Sequence, residues 1–189
     1  MTQQGKNAID LVLAESLIEL SAKKPIDKIT IKEITDKAGV IRPTFYKHFQ
    51  DKYELIEWII KSELLEPIKP LLNAGMIFEA IVLMLNNISA NSVFYKKALK
   101  LEGAVTFNQI AMKCVYEMFM NIISEKSTGK KSKYRWLTPE VISTYYAQSL
   151  CFITEGWIAQ GMDDIEPKEM AEAYMYLITR SMDDILSEL

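Results

Sequence analysis

The sequence predicts an all-α protein of about nine helices. Apolar residues recur with a period of 3.6 from end to end, and nothing alternates with a period of two over a useful length. Hydroxyl and carboxyl caps, prolines and glycines punctuate the periodic runs where helices start and stop. The 189 residues, 49% apolar and 25% charged, have the balance of a globular protein with a substantial core. No apolar run approaches the roughly 18–20 residues of a membrane span. The opening MTQQGKNAID lacks the charged-then-apolar order of an export signal. Cys114 and Cys151 are too few and too far apart in sequence for a disulfide scaffold or a thiolate zinc site. The expectation is a cytoplasmic protein with no membrane, metal or cofactor.

Each helix has its own signals. The first is expected from about Lys6 to Lys23, with Ile9, Val12, Leu13, Leu17 and Leu20 as its apolar stripe, closed by Pro25. Thr30 and Glu33 form a capping box that opens the second, which Gly39 ends in a left-handed turn. A short third helix covers Pro43 to Phe49. A fourth starts at the acidic cap Asp51 and turns Leu55, Ile56, Ile59 and Ile60 inward. Pro67, Pro70 and Gly75 then break the chain between residues 66 and 76. Further helices are expected at 76–90, 92–101, 106–125, 139–161 and 167–188. The third of these opens on a second capping box, Thr106 with Gln109. The last two carry prolines 139 and 167 in their first turns, behind Thr138 and Glu166. Lys126–Trp136 reads as a basic polar loop.

Charge is uneven although the net is only −3. Residues 20–52 hold eight Lys or Arg against four acids, a net of +4, while residues from 64 onward hold 12 bases against 15 acids, a net of −3. A basic segment on a mildly acidic body suits contact with a polyanion. Within it, two short helices joined by a tight glycine turn outline a helix-turn-helix. Ile34, Ala38 and Val40 are spaced to pack the pair together, and Phe45 and Phe49 lie one turn apart on the core side. Arg42, Pro43, Thr44, Tyr46, Lys47 and His48 are left to point outward, a face suited to a major groove and its phosphates.

AGVIRPTFYKHFQDKYEL resembles the DNA-binding signature of the tetracycline-repressor (TetR) family of bacterial transcription regulators, and the resemblance covers about residues 8–62. It implies a three-helix DNA-binding domain at residues 1–52, a connecting fourth helix at 51–65, and an all-helical effector-binding and dimerisation domain at 66–189. Carried over by position, Thr30, Thr44, Tyr46, Lys47 and Lys52 contact phosphates. Arg42, Pro43 and Lys47 face base edges, and His48 sits at the groove margin. Ile41 departs from the family, which usually has Ser or another capping residue there. Losing such a cap costs about 0.5–2 kcal/mol. Pro43 offsets part of this and disfavours helical geometry at Arg42, so the third helix is expected to start at Pro43 with Arg42 half outside.

FYKKALKLEG at 94–103 and ITEGWIAQGMDDIEPKEMAE at 153–172 are similar to the effector domain of a subgroup near dihydroxyacetone-kinase regulators. The resemblance leaves two kinds of control open, a small-molecule effector or a protein co-regulator. The last two helices are apolar on more than one face, which fits burial on both sides in a two-fold dimer. Tyr145, Ser149, Phe152 and Gly156 of one, with Tyr174, Ile178, Met182 and Ile185 of the other, are the candidate interface. Nine of the ten methionines follow residue 75, in keeping with core filling or an adaptable pocket. Candidate pocket residues are Met84, Phe94, Phe107, Met112, Tyr116, Cys151 and Glu155. No Gly-rich phosphate loop, metal-ligand cluster or nucleophile–histidine pairing argues for an enzyme. The expected function is a homodimeric regulator, a repressor released by its effector, bound to a pseudo-palindromic duplex.

Overall fold

The computed structural model describes residues 3–102, 105–126 and 133–188, with side chains from residue 8 onward. Among these residues there are eleven α-helices and no strand. Helix α1 (Gln3–Ser21) buries Leu13, Ala14, Leu17 and Ser21. Val12 is exposed, against expectation, because it lies about 100° around the helix from Leu13. After Pro25 a single 3₁₀ turn (Ile26–Lys28) drops Ile26 and Ile29 into the core. Helices α2 (Ile31–Ala38), α3 (Arg42–His48) and α4 (Lys52–Ile59) follow. Asp51 caps α4 by accepting from the Tyr53 and Glu54 amides at 2.8 and 2.9 Å, and Leu55, Ile56, Ile59 and Ile60 are all buried. The helix runs on without a break into a π-helical turn, Ile60–Leu65.

The remaining helices are α5 (Lys69–Asn73), α6 (Ile77–Ala90), α7 (Ser92–Ala98), α8 (Phe107–Lys126), α9 (Pro139–Ala159), α10 (Pro167–Thr179) and α11 (Met182–Glu188). Two were not expected. Pro70 in the first turn of α5 starts a helix rather than only breaking one. The single helix expected at 167–188 is interrupted at Arg180, whose backbone is extended. Ser181 and Asp184 then form a reciprocal cap that opens α11. The capping box at Thr106 and Gln109 and the Thr138 cap form as read. Residues 127–132 of the expected basic loop lie outside the described residues, while Tyr134 and Trp136 are exposed.

Helices α8 and α9 are antiparallel. Asn108 near the start of α8 bonds Glu155 near the end of α9, and Phe119 meets Tyr146 further along. Helix α10 packs on α6 and also touches α9. The corner between α9 and α10 needs Gly161 at φ 104°, and the Trp157 indole N–H closes it by donating to the Ile165 carbonyl at 2.9 Å. Buried residues make one continuous cluster from Leu13 in α1 to Tyr174 in α10, passing through Ile60, Leu64 and Leu65 of the π turn. No single described helix is long and apolar enough to cross a membrane.

Candidate nucleic-acid interface

The Thr30 hydroxyl accepts from the Glu33 amide at 3.3 Å, and the Glu33 carboxylate accepts from the Thr30 amide at 2.9 Å. Lys24 also bonds that carboxylate at 2.5 Å. Lys24 first, and then the Thr30 amide and hydroxyl, hold the Glu33 pKa down at about 2. Gly39 ends α2 at φ 68°, a left-handed conformation that costs glycine nothing, and the Val40 amide returns to the Thr35 carbonyl at 3.0 Å. Ile34 and Phe45 are fully buried, Phe49 nearly so, and the two phenylalanine rings lie 5.8 Å apart. This local chemistry fixes the turn and points one side of α3 away from the core.

Helix α3 starts one residue earlier than expected. Ile41 is the N-cap and Arg42 the first helical residue. The proline bias against helical geometry at the residue before it is therefore overridden here. Pro43 sits in the first turn, where its missing N–H would have had no acceptor, and the Thr44 amide bonds the Ile41 carbonyl at 2.8 Å. Ile41 makes no side-chain cap and is 69% exposed, an apolar group at the tip of the exposed helix. The signal for this exposed group in the sequence is the apolar residue itself, at a position where a polar cap is expected.

Arg42, Pro43, Tyr46 and Lys47 are exposed and Thr44 is half-buried, as expected of an outward face. Arg42 and Lys47 make no ion pair among the described residues, whereas Lys24, Lys32 and Lys37 are paired with Glu33, Asp36 and Glu19.

Two of the expected contacts are corrected. The His48 side chain is only 2% exposed, and its Nδ1 lies 2.5 Å from Asp10 Oδ1 of α1. It points into the junction with α1, three residues from Phe45 and therefore on the same face. Lys52 is also engaged internally. Its ammonium donates to the carbonyls of Ile26, Asp27 and Ile29 at 3.0, 2.7 and 3.2 Å, clamping the 3₁₀ turn ahead of Thr30. Burial lowers the Lys52 pKa, the cost of taking an ammonium out of water, and the Asp27 and Asp51 carboxylates work against that shift.

Elsewhere the candidates divide. Met84, Phe107, Cys151 and Glu155 line one cavity of about 40 Å³. Phe94 does not line it, α7 giving it Tyr95 instead, and neither do Met112 and Tyr116, because α8 presents Phe107, Ala111 and Val115 to the space and turns residues 112 and 116 aside. The Tyr95 and Thr154 hydroxyls, missed from the sequence, also belong to its walls and are buried with no hydrogen-bond partner among the described residues. Burial pushes the Cys151 thiol up to about 12 and raises the Glu155 carboxyl. A larger apolar groove of about 360 Å³ lies among α5, α6, α8, α9 and α10.

Of the interface candidates, Tyr145, Phe152 and Met182 are exposed, with Phe152 at 76%, and Ser149, Gly156 and Ile185 are half-buried. Tyr174 is only 3% exposed and with Ile178 lines the groove, so these two face inward. Helix α10 packs on α6 and carries that face with it. Among the described residues no group of three or more His, Cys, Asp or Glu could hold a metal ion.

A capped helix, a left-handed glycine turn and a short exposed helix in front of a helical body define a helix-turn-helix DNA-binding protein. Residues 15–59 match the bacterial regulatory proteins of the tetR family, and residues 76–180 match a transcriptional regulator C-terminal region of the same group. The chain belongs to the tetR family of transcriptional regulators. It is 26% identical over 152 residues, 79% of each chain, to the dhaKLM operon transcriptional activator DhaS of Lactococcus lactis subsp. lactis (strain IL1403). A solved structure of a dihydroxyacetone kinase operon activator DhaS superposes with a TM-score of 0.63 at 20% identity, covering 90% of this chain and 93% of that one. NalD, the secondary repressor of the MexAB-OprM multidrug efflux pump in Pseudomonas aeruginosa, shares the fold with a TM-score of 0.59 at 12% identity, covering 92% and 96%.

Proposed function

We propose that the chain works as a homodimer whose two α3 helices enter successive major grooves of a pseudo-palindromic operator. The observation that carries this reading is that Arg42 and Lys47, on an exposed helix, have no ion-pair partner among the described residues, whereas Lys24, Lys32 and Lys37 nearby are paired. Cations without protein partners are the ones that phosphates can neutralise. In this reading Thr44, Tyr46 and Lys47 hold phosphates, Arg42 and Pro43 meet base edges, and Ile41 covers a thymine methyl; Thr30, whose amide and hydroxyl both donate to Glu33, is left as the cap of α2. Residues 1–52 read DNA, α4 with its π turn connects, and residues 66–189 dimerise and sense. The dimer face is the exposed stripe of Tyr145, Ser149, Phe152 and Gly156, with Met182 and Ile185. A cytoplasmic protein follows from a chromosomal target.

The effector in this reading is an elongated apolar molecule held in the groove beside α10. At about 360 Å³ the groove is of ligand size, whereas the 40 Å³ cavity holds only a few waters. Its binding reaches α4 and the π turn through ion pairs to α8: Glu57 of α4 with Lys113 at 2.8 Å, and Lys61 of the turn with Glu117 at 2.8 Å. A ligand shifts DNA binding only by its different affinity for the two states. A second reading replaces it with a protein co-regulator, favoured by the exposed aromatics Tyr134 and Trp136 beyond the stripe. DhaS is an activator and NalD a repressor, so repression or activation is read from transcription off the operator itself.

Selection from random duplex DNA at two salt concentrations tests the reading. An enriched palindrome with steep salt dependence is expected. No enriched motif from folded protein counts against it.

A further inference from the structure

Helix α3 has seven residues, too short to be stable alone, and its N-cap contributes no side-chain bond. Its direction is therefore set by its attachments. Phe45 is a buried apolar plug near the middle, and Phe49, just past the end, packs edge-on against Trp58 of α4. Apolar contacts of this kind resist separation but do little to fix an angle. The directional attachment to α1 is polar: His48 Nδ1 at 2.5 Å from Asp10 Oδ1, with the imidazole 2% exposed. The N-terminal end of α3, with Arg42 and Pro43, is exposed.

We propose that Asp10 and His48 are positioning residues: their bond sets the tilt of α3 on α1, and through it the affinity and base preference of DNA binding, without either residue touching DNA. The proposal rests on α3 being the DNA-reading helix. Arg42 lies six residues from His48, about 9 Å along the axis, so a rocking of about 10° moves its guanidinium by roughly 1.5–2 Å. Base readout tolerates about 0.5 Å. An acid beside a DNA-facing helix is otherwise an electrostatic liability, since its removal alone would strengthen binding to a polyanion. That opposing sign makes the test decisive.

The experiment compares full-length wild type, Asp10→Ala, His48→Ala, the double variant and His48→Asn on the selected palindrome. Base-substituted duplexes and a salt series are included, at a temperature below each unfolding midpoint. Asp10→Ala and His48→Ala are each expected to weaken binding by about tenfold, the scale of one charge-assisted hydrogen bond. The double variant should lose no more than either single one. Base discrimination should flatten while the salt slope stays constant. His48→Asn, which keeps a donor near the place of Nδ1, should recover most of the affinity, and this readout stands whether or not an alanine variant folds.

Binding by Asp10→Ala equal to or tighter than wild type overturns the proposal. So does a salt slope reduced by about one in His48→Ala alone, the mark of a phosphate contact, or a His48→Asn variant as weak as His48→Ala. A wild-type chain that recovers no motif overturns the DNA reading and the proposal with it.

Discussion

Lys52→Met separates a clamp from a phosphate contact. The substitution keeps most of the aliphatic stem and removes the ammonium that donates to the carbonyls of Ile26, Asp27 and Ile29. Ile26 retains the Ile29 amide as a donor at 3.1 Å, so Asp27 and Ile29 bear most of the loss. Ile29 is buried and Asp27 half-buried, which limits how far water can replace the lysine. Removing a charged donor from two such carbonyls, less the recovered desolvation of the ammonium, amounts to about 2–4 kcal/mol. For a chain of this size each kcal/mol moves the midpoint by about 2–4 °C, so thermal unfolding should fall by roughly 4–16 °C. The slope of log affinity against log salt should stay at its wild-type value, because no phosphate partner is lost. Circular dichroism melts and operator titrations at three salt concentrations measure both. A midpoint within about 2 °C of wild type, together with a slope lowered by about one, would refute the clamp and return Lys52 to the DNA surface.

Glu33 carries a pH signature. Its folded pKa of about 2 lies below the ordinary 4.5, so its contribution is fully present above pH 4.5 and is lost as the pH falls towards 2. Glu33→Gln should flatten the acid limb of stability across that window in pH-dependent melts, and an unchanged limb contradicts the assignment. Ile41→Ser supplies the missing cap and should raise stability by about 0.5–2 kcal/mol in denaturant unfolding. The same change should weaken preference for thymine at one operator position, and a selection logo identical to wild type removes Ile41 from the readout. Phe152→Glu buries a charge in the proposed dimer face, so light scattering should give a monomer mass with operator binding abolished; a persisting dimer moves the interface elsewhere. Arg42→Ala should relax one base position by about 1–3 kcal/mol. Lys47→Ala should instead weaken all duplexes evenly, and equal effects of both variants on every duplex argue against that division of roles.

What was legible in the sequence was chemistry that acts over three or four residues. Thr30 with Glu33, Thr106 with Gln109, Asp51 ahead of α4 and Gly39 behind α2 each satisfy backbone groups next to them, so residue type and spacing suffice. Ser181 with Asp184 belongs to the same class, but the apolar period running through Arg180 masked it. The fate of a long side chain depends instead on where the fold brings distant backbone. Asp10 lies 38 positions from His48, and the carbonyls held by Lys52 lie 23 to 26 positions from it. A count of bases between residues 20 and 52 therefore finds the face proposed to meet DNA and overstates how many of its charges are left unpaired. Two of the residues most suggestive of DNA contact are engaged within the fold, His48 with Asp10 of α1 and Lys52 with the turn ahead of α2. In the proposed reading Arg42, Pro43 and the uncapped Ile41 are left as the part of the surface that distinguishes one operator from another, with Lys47 on the phosphates.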